Sequence, residues 1–314
     1  MRAKKIIPML ILTIAITGVL LLQVSVGDIV STISGIPAHY VIIGFFIYAL
    51  SYVFRALRFR VLLRGELGLK DIFPIVCIHN LVNIILPART GELSYVYLIR
   101  KKGISSADGI ATLITARIFD LIAILLVLLL SVLNLSIIIP GLTVIIIACI
   151  LAVFGFFIFL IYFNRRFVNT VYGIFNRFSL TRFKLMRFLL RKLEETSESL
   201  MDIKSKRIIF FNFIFSIAIW LLVYASSYIL ILGMPIELGF WGIVFISAAI
   251  TLAYVLPIHS FAGFGTIEAF WTAAAIAIGI TMEVAIVSSF TLHIVSLVYF
   301  FIIGMFGLLI RHVS

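Results

Sequence analysis

Apolar residues occur in long runs along the chain, with few of the polar interruptions that mark a surface helix or a half-buried strand. A bilayer core of about 30 Å takes roughly 20 apolar residues in helical form. Six runs approach that length: residues 6–24, 38–54, 110–133, 141–163, 208–232 and 284–310. Each predicts a membrane-crossing helix. The first follows Arg2, Lys4 and Lys5, as in a signal peptide. It is long, however, and no small-residue cleavage site follows, so a retained first helix is expected.

Two stretches do not read as simple spans. Residues 72–86 and 92–99 flank a break at Pro87, Arg89, Thr90 and Gly91. At helical rise these arms reach only about 22 Å and about 12 Å. A re-entrant hairpin entering from the cytoplasm accounts for both. The second stretch runs over 240–256, breaks at 257–265 with Pro257, His259, Gly263 and Gly265, and resumes over 266–280. Its flanks, Glu237 and Glu283, fall on the external side, and the break carries no Lys or Arg, so a hairpin entering from outside is expected. The resulting order is helix, helix, hairpin, helix, followed by the same order upside down. The expected fold is therefore an all-α polytopic membrane protein forming a single transmembrane domain over 1–314. It has six transmembrane helices and two re-entrant helical hairpins, arranged as an inverted repeat with halves of about 1–135 and 136–314. Inverted repeats with broken helices meeting near the midplane are common in transporters.

Composition removes the alternatives. Of 314 residues, 63% are hydrophobic and 12% charged, with a mean hydropathy of +1.27. Soluble domains carry about 25% charged residues. A soluble enzyme, a nucleic-acid-binding module and a disordered chain are all excluded. The net charge of +12 is then a matter of topology. With six crossings, all of the 25 Lys and Arg residues except Arg89 and Arg117 fall on one side. The positive-inside rule makes that side the cytoplasm of a cell membrane, with both termini in it. Cys77 and Cys149 lie in apolar runs, and neither a disulfide framework nor a zinc site is expected.

The breaks hold the candidate chemistry. Near Thr90 a half-helix starts, and its free N–H groups and positive dipole end form an anion site. Arg89 adds a guanidinium fork matched to phosphate oxygens. Glu92, in the first turn, either caps that half-helix or holds Arg89. The second break repeats the pattern with Gly263, Gly265 and Glu268, and His259 is the titratable residue nearest in sequence. Glu268 is a helix-terminus stabiliser, a partner for Arg117 or Arg89 across the repeat, or a proton site. Arg117 and Asp120, three apart on one helix, share a face and are expected to pair. His293, Asn80 and Asn83 are weaker candidates, since a lone polar group in a membrane helix usually bonds a neighbouring helix. Over 164–207, Phe183, Met186, Leu190, Leu193 and Leu200 fall on one helical face amid basic residues. That pattern predicts an amphipathic helix resting on the anionic cytoplasmic leaflet.

The segments around Pro87, Arg89, Gly91 and Glu92, then Ala116, Arg117 and Asp120, then Pro257, Gly263, Gly265 and Glu268, resemble the flippase-like domain family. That family is the transmembrane region of the lysylphosphatidylglycerol synthases. The resemblance extends over nearly the whole chain. It implies movement of lipids or lipid-linked headgroups between leaflets, and marks Arg89, Gly91, Glu92, Arg117, Asp120, Gly263, Gly265 and Glu268. Ala262 stands where the family often has another glycine, and one further residue separates Pro257 from Glu268. The aminoacyl-transferase domain of the synthases is not found in these residues, so lipid aminoacylation is not implied.

The leading expectation is a translocator with no catalytic residues, metal or cofactor, whose partner is a phospholipid or a polyprenyl-phosphate-linked lipid. Its headgroup is expected at the two hairpin tips, against Arg89, Thr90, Gly91, Glu92, Arg117, Asp120, His259, Gly263, Gly265 and Glu268. One alternative is a membrane glycosyl- or acyltransferase using Glu92, Glu268 or His259 as acid or base. Another is a small-molecule or ion exporter. No nucleic-acid partner is expected, and the oligomeric state stays open.

Overall fold

Backbone polar groups within lipid must be satisfied internally, which leaves helices and closed barrels as the spanning structures. The computed structural model describes residues 13–85, 91–135, 141–162, 164–177, 183–202, 205–253 and 261–313; these are helical with short turns and contain no strand. The protein is an all-α polytopic membrane protein. Among the described residues, five helices are long and apolar enough to cross a bilayer. They are α3 (Ala38–Leu62), α6 (Ser106–Asn134), α7 (Leu142–Tyr162), α10 (Lys206–Leu232) and α13 (Met282–Val313). A bent pair, α1 (Thr13–Leu21) and α2 (Val26–Gly35), makes up to a sixth. The bend of 83° between them falls at the end of the apolar run 6–24, and α2 lies beyond that run. Ser25 and Asp28 cause the turn by capping a new helix: Ser25 Oγ accepts from Gly27 N–H at 2.9 Å, and Asp28 accepts from Ser25 N–H at 3.0 Å.

The two interrupted stretches form short helices. The first gives α4 (Leu69–Ile85) and α5 (Glu92–Arg100), and the second gives α11 (Phe240–Ala253), a 3-10 turn (Phe261–Gly263) and α12 (Thr266–Ala277). Between α7 and α10 lie α8 (Asn164–Arg177) and α9 (Lys184–Asp202). The apolar face of α9 is directed partly into the protein. It packs on α6, with Leu190 and Leu200 buried, while Phe183 just ahead of it is 62% exposed.

Packing builds outward from α6, which has 67% of its most apolar stretch buried; α7, with 11%, is peripheral. Exposed Phe46, Ile145, Leu151 and Phe301 belong to the surface that meets lipid. The most extensive helix pair is α3 with α10, where Ser226 donates to the Gly44 carbonyl at 2.8 Å. Around it α4 packs on α13 and α11 on α6, α5 on α6 and α12 on α13, α3 on α4 and α10 on α11. Exchanging α3 with α10, α4 with α11, α5 with α12 and α6 with α13 maps this set of contacts onto itself. On α13, Gly304 and Gly307 admit α4: a Cβ there would lie 2.6 Å from Leu81 Cβ and 2.5 Å from Cys77 Cβ.

Arg55 and Arg58, taken from the sequence as cytoplasmic flanks of the second span, lie inside α3, which continues to Leu62. Arg58 is 2% exposed.

Candidate functional site

A cavity of about 330 Å³ lies between the two interrupted stretches. Asn80, Asn83, Ile84 and Ile85 of α4 form one wall; Ala262 and Gly263 of the 3-10 turn, with Ile267 and Trp271 of α12, form another. The 3-10 turn packs directly on α4. Arg55, Arg117, Trp220 and His293 also line it, from α3, α6, α10 and α13, together with serines of α10, α11 and α13. Such a volume falls at the small end of the range for ligand sites. Its wall combines these polar groups with Ile250, Leu292, Leu297 and Phe300.

Each interrupted stretch restarts on a clamped carboxylate. Glu92 begins α5, and Arg117 of α6 donates to its Oε1 from Nε at 2.9 Å, with Nη2 also at 2.9 Å. Glu268 lies in the first turn of α12, and His293 of α13 sets Nδ1 2.6 Å from its Oε1. The two pairs have the same sequence separation, 25 residues. Glu268 is fully buried, and its other oxygen accepts from Gly265 N–H at 2.7 Å, stabilising the helix start. His293 Nε2 faces the Ala262 carbonyl at 3.2 Å, so the imidazole ties α12 to the turn before it. Of the three roles open for Glu268, helix-terminus stabilisation is observed, and its ionisable partner among the described residues is His293.

Glycine makes both restarts possible. Gly263 and Gly265 adopt φ of +86° and +84°, a region costly for residues with a Cβ. At Gly91 the constraint is space, since a Cβ would fall 2.4 Å from Asn83 Cα. This contact holds the start of α5 against α4.

Behind the cavity lies a second ionic cluster. Arg58 donates to Asp120 Oδ1 at 2.5 Å and Oδ2 at 3.3 Å, and to Ser216 Oγ at 3.0 Å. Trp220 Nε1 donates to Asp120 Oδ1 at 2.9 Å. Arg117 Nη1 is 3.5 Å from Asp120 Oδ2, so the expected pair forms, though as the weaker partner of a carboxylate held chiefly by Arg58.

Several expected residues are accordingly brought together: Gly91, Glu92, Arg117 and Asp120 in one connected group, Gly263, Gly265 and Glu268 in another. Arg89, Thr90 and His259 lie outside the described residues. The expectation that Glu92 and Glu268 face the cavity is not met. They turn to Arg117 and His293, which line it in their place; fully buried Glu268 in particular needs its partner at hand. Arg55, Arg58, Ser216 and Trp220 escaped the sequence reading. The available signal was the three-residue spacing of Arg55 and Arg58, which puts both on one helix face.

These features define a class: a multi-pass helical membrane protein in which two short helices restart on clamped carboxylates around one cavity. The chain belongs to the lysylphosphatidylglycerol synthase TM region family, whose model matches residues 6–304. Membership assigns it a function concerned with membrane lipid. The chain is also similar to Glycosyltransferase AglD of Haloferax volcanii, at 27% identity over 128 residues. That match takes in 39% of this chain and only 20% of the relative's own length. No solved structure matches the chain.

Proposed function

We propose that the chain moves an amphiphile between leaflets: a phospholipid or polyprenyl-phosphate-linked lipid, with its headgroup in the cavity and its tails in the bilayer. The observation that carries this reading is the shared cavity. The end of α4 borders it on one side, the turn at Phe261–Gly263 with α12 on the other. Interrupted helices meeting at a common site recur in transporters built from inverted repeats. The equal spacing of the Glu92–Arg117 and Glu268–His293 pairs supports such a repeat, as does a packing pattern that survives exchange of the halves. In that arrangement each interrupted stretch is a hairpin rooted on its own side, and rocking one half against the other opens the cavity to each leaflet in turn.

The lining favours an amphiphile over a hydrated ion, since Ile, Val, Leu, Phe and Trp side chains stand in it beside the polar groups. Of the acid–base candidates for transfer chemistry, Glu92 and Glu268 are both engaged and neither borders the cavity, while His259 lies outside the described residues; this supports translocation without catalysis. The basic segment containing α8 and α9 belongs to the cytoplasmic side, together with both termini, in the cell membrane. There the exposed Phe183 and the basic face of α9 rest on the anionic leaflet.

The test is reconstitution in phosphatidylcholine vesicles carrying a trace of phosphatidylglycerol labelled on its headgroup with a dithionite-sensitive fluorophore. Dithionite bleaching should run past the outer-leaflet share in vesicles holding the protein and stop there in empty ones. Identical bleaching in both would refute translocation of this lipid class.

A further inference from the structure

Around the cavity, the carboxylates Asp120, Glu92 and Glu268 and the guanidiniums Arg55, Arg58 and Arg117 balance in formal charge, but they are not matched in contacts. Asp120 is engaged by Arg58, Trp220 and Arg117; Glu92 by Arg117; Glu268 by His293 and the Gly265 N–H. His79 of α4 is 2% exposed and turned to the Gly91 carbonyl. Arg55 is left over. It lines the cavity, yet forms neither a hydrogen bond nor an ion pair with any described residue. The stretches 86–90 and 254–260, which adjoin the cavity walls along the chain, contain no Asp or Glu.

Arg55 is nevertheless held in place. Its guanidinium carbon lies 5.5 Å from the ring centroid of Trp220 and 5.9 Å from that of Tyr52. Aromatic faces attract the cation and fix its plane, but they accept nothing from the N–H edge. The Arg55 Nε is buried without a hydrogen-bond partner among the described residues. Trp220 is itself fixed by its bond to Asp120. The result is a preorganised cation with unspent donors, in a setting where an unpaired charge is costly and marks function.

We infer that Arg55 is the anion anchor of the cavity, binding a phosphate group and giving the site its preference for anionic over uncharged amphiphiles. This deepens the translocation reading and rests on it for the lipid identity of the ligand. A phosphate on a lipid headgroup and free inorganic phosphate offer the guanidinium fork the same oxygens, so the test separates them.

Purified full-length chain in neutral detergent would be titrated with dihexanoyl-phosphatidylglycerol, inorganic phosphate and dihexanoylglycerol, followed by tryptophan fluorescence, to which Trp220 beneath Arg55 contributes. Phosphatidylglycerol should give a saturable change, and dihexanoylglycerol, with the same tails and no charge, should give none. Arg55→Gln should weaken phosphatidylglycerol binding by about tenfold or more. Arg55→Lys should recover part of it, keeping charge but not the fork. The exposed Arg207→Gln should bind as wild type. Inorganic phosphate matching the lipid would support recognition of the phosphate alone; weaker binding would support phosphate plus tails; in both cases Arg55→Gln must lose it. Unchanged phosphatidylglycerol binding by Arg55→Gln, or equal binding of dihexanoylglycerol by wild type, would overturn the assignment. The second comparison needs no variant, so it holds even if Arg55→Gln fails to fold. In the vesicle assay, a wild type that binds without moving lipid would overturn translocation and leave Arg55 standing. Lipid movement undiminished by Arg55→Gln would do the reverse.

Discussion

Removing the Asp120 carboxylate strands a guanidinium in the interior, and the cost follows from the geometry. Arg58 is 2% exposed and directs two of its nitrogens to Asp120; its remaining partner is Ser216 Oγ at 3.0 Å. In Asp120→Leu, Arg58 keeps one neutral acceptor and cannot reach water, and Trp220 loses the acceptor for its indole N–H. Breaking a buried pair by deleting one partner costs about 3–5 kcal/mol. Against a total stability of about 5–15 kcal/mol for a typical domain, that is a large fraction. Replacing both partners, Arg58→Met with Asp120→Leu, removes the orphaned charge and should return most of the loss. The assay is the residual monodisperse peak on size exclusion after heating in detergent, for wild type, both single variants and the double. The expected pattern is a marked fall in the midpoint for Asp120→Leu and a double variant more stable than that single. A double variant as unstable as the two losses added together would refute the reasoning, since it would mean the two groups do not interact.

Two further outcomes follow from burial and from charge placement. His293→Leu should destabilise more than Arg117→Leu in the same heating assay, because it leaves Glu268 fully buried while Glu92 keeps 26% of its side chain exposed; the opposite order would contradict the two clamps described. On a Cys77→Ser, Cys149→Ser background, Glu237→Cys should react with a membrane-impermeant maleimide from outside and Lys102→Cys only from the cytoplasm, and labelling of both from one side would overturn the proposed orientation.

What the sequence determines here is what length and hydropathy can determine. The spans α3, α6, α10 and α13 were legible because some 20 successive apolar residues have no stable place but a bilayer or a protein interior. The interruptions were legible because proline and glycine break apolar stretches too short to cross, and Glu92 and Glu268 stand where a helix restarts. Arg117 with Asp120 was legible because three residues along a helix is a contact in itself. Partners on different helices were not. Asp120 finds Arg58 across 62 residues, and Glu268 meets His293 across 25, because helix packing decides which partner lies within reach. Arg55 and Arg58 looked like flanking charges for the same reason. An arginine after an apolar run reads as cytoplasmic until the helix is seen to continue and a carboxylate, or an aromatic face, is seen to receive it. The sequence contains both the cations and the carboxylates, but only their arrangement in space reveals that Arg55, at the cavity wall, forms no ion pair with any described residue.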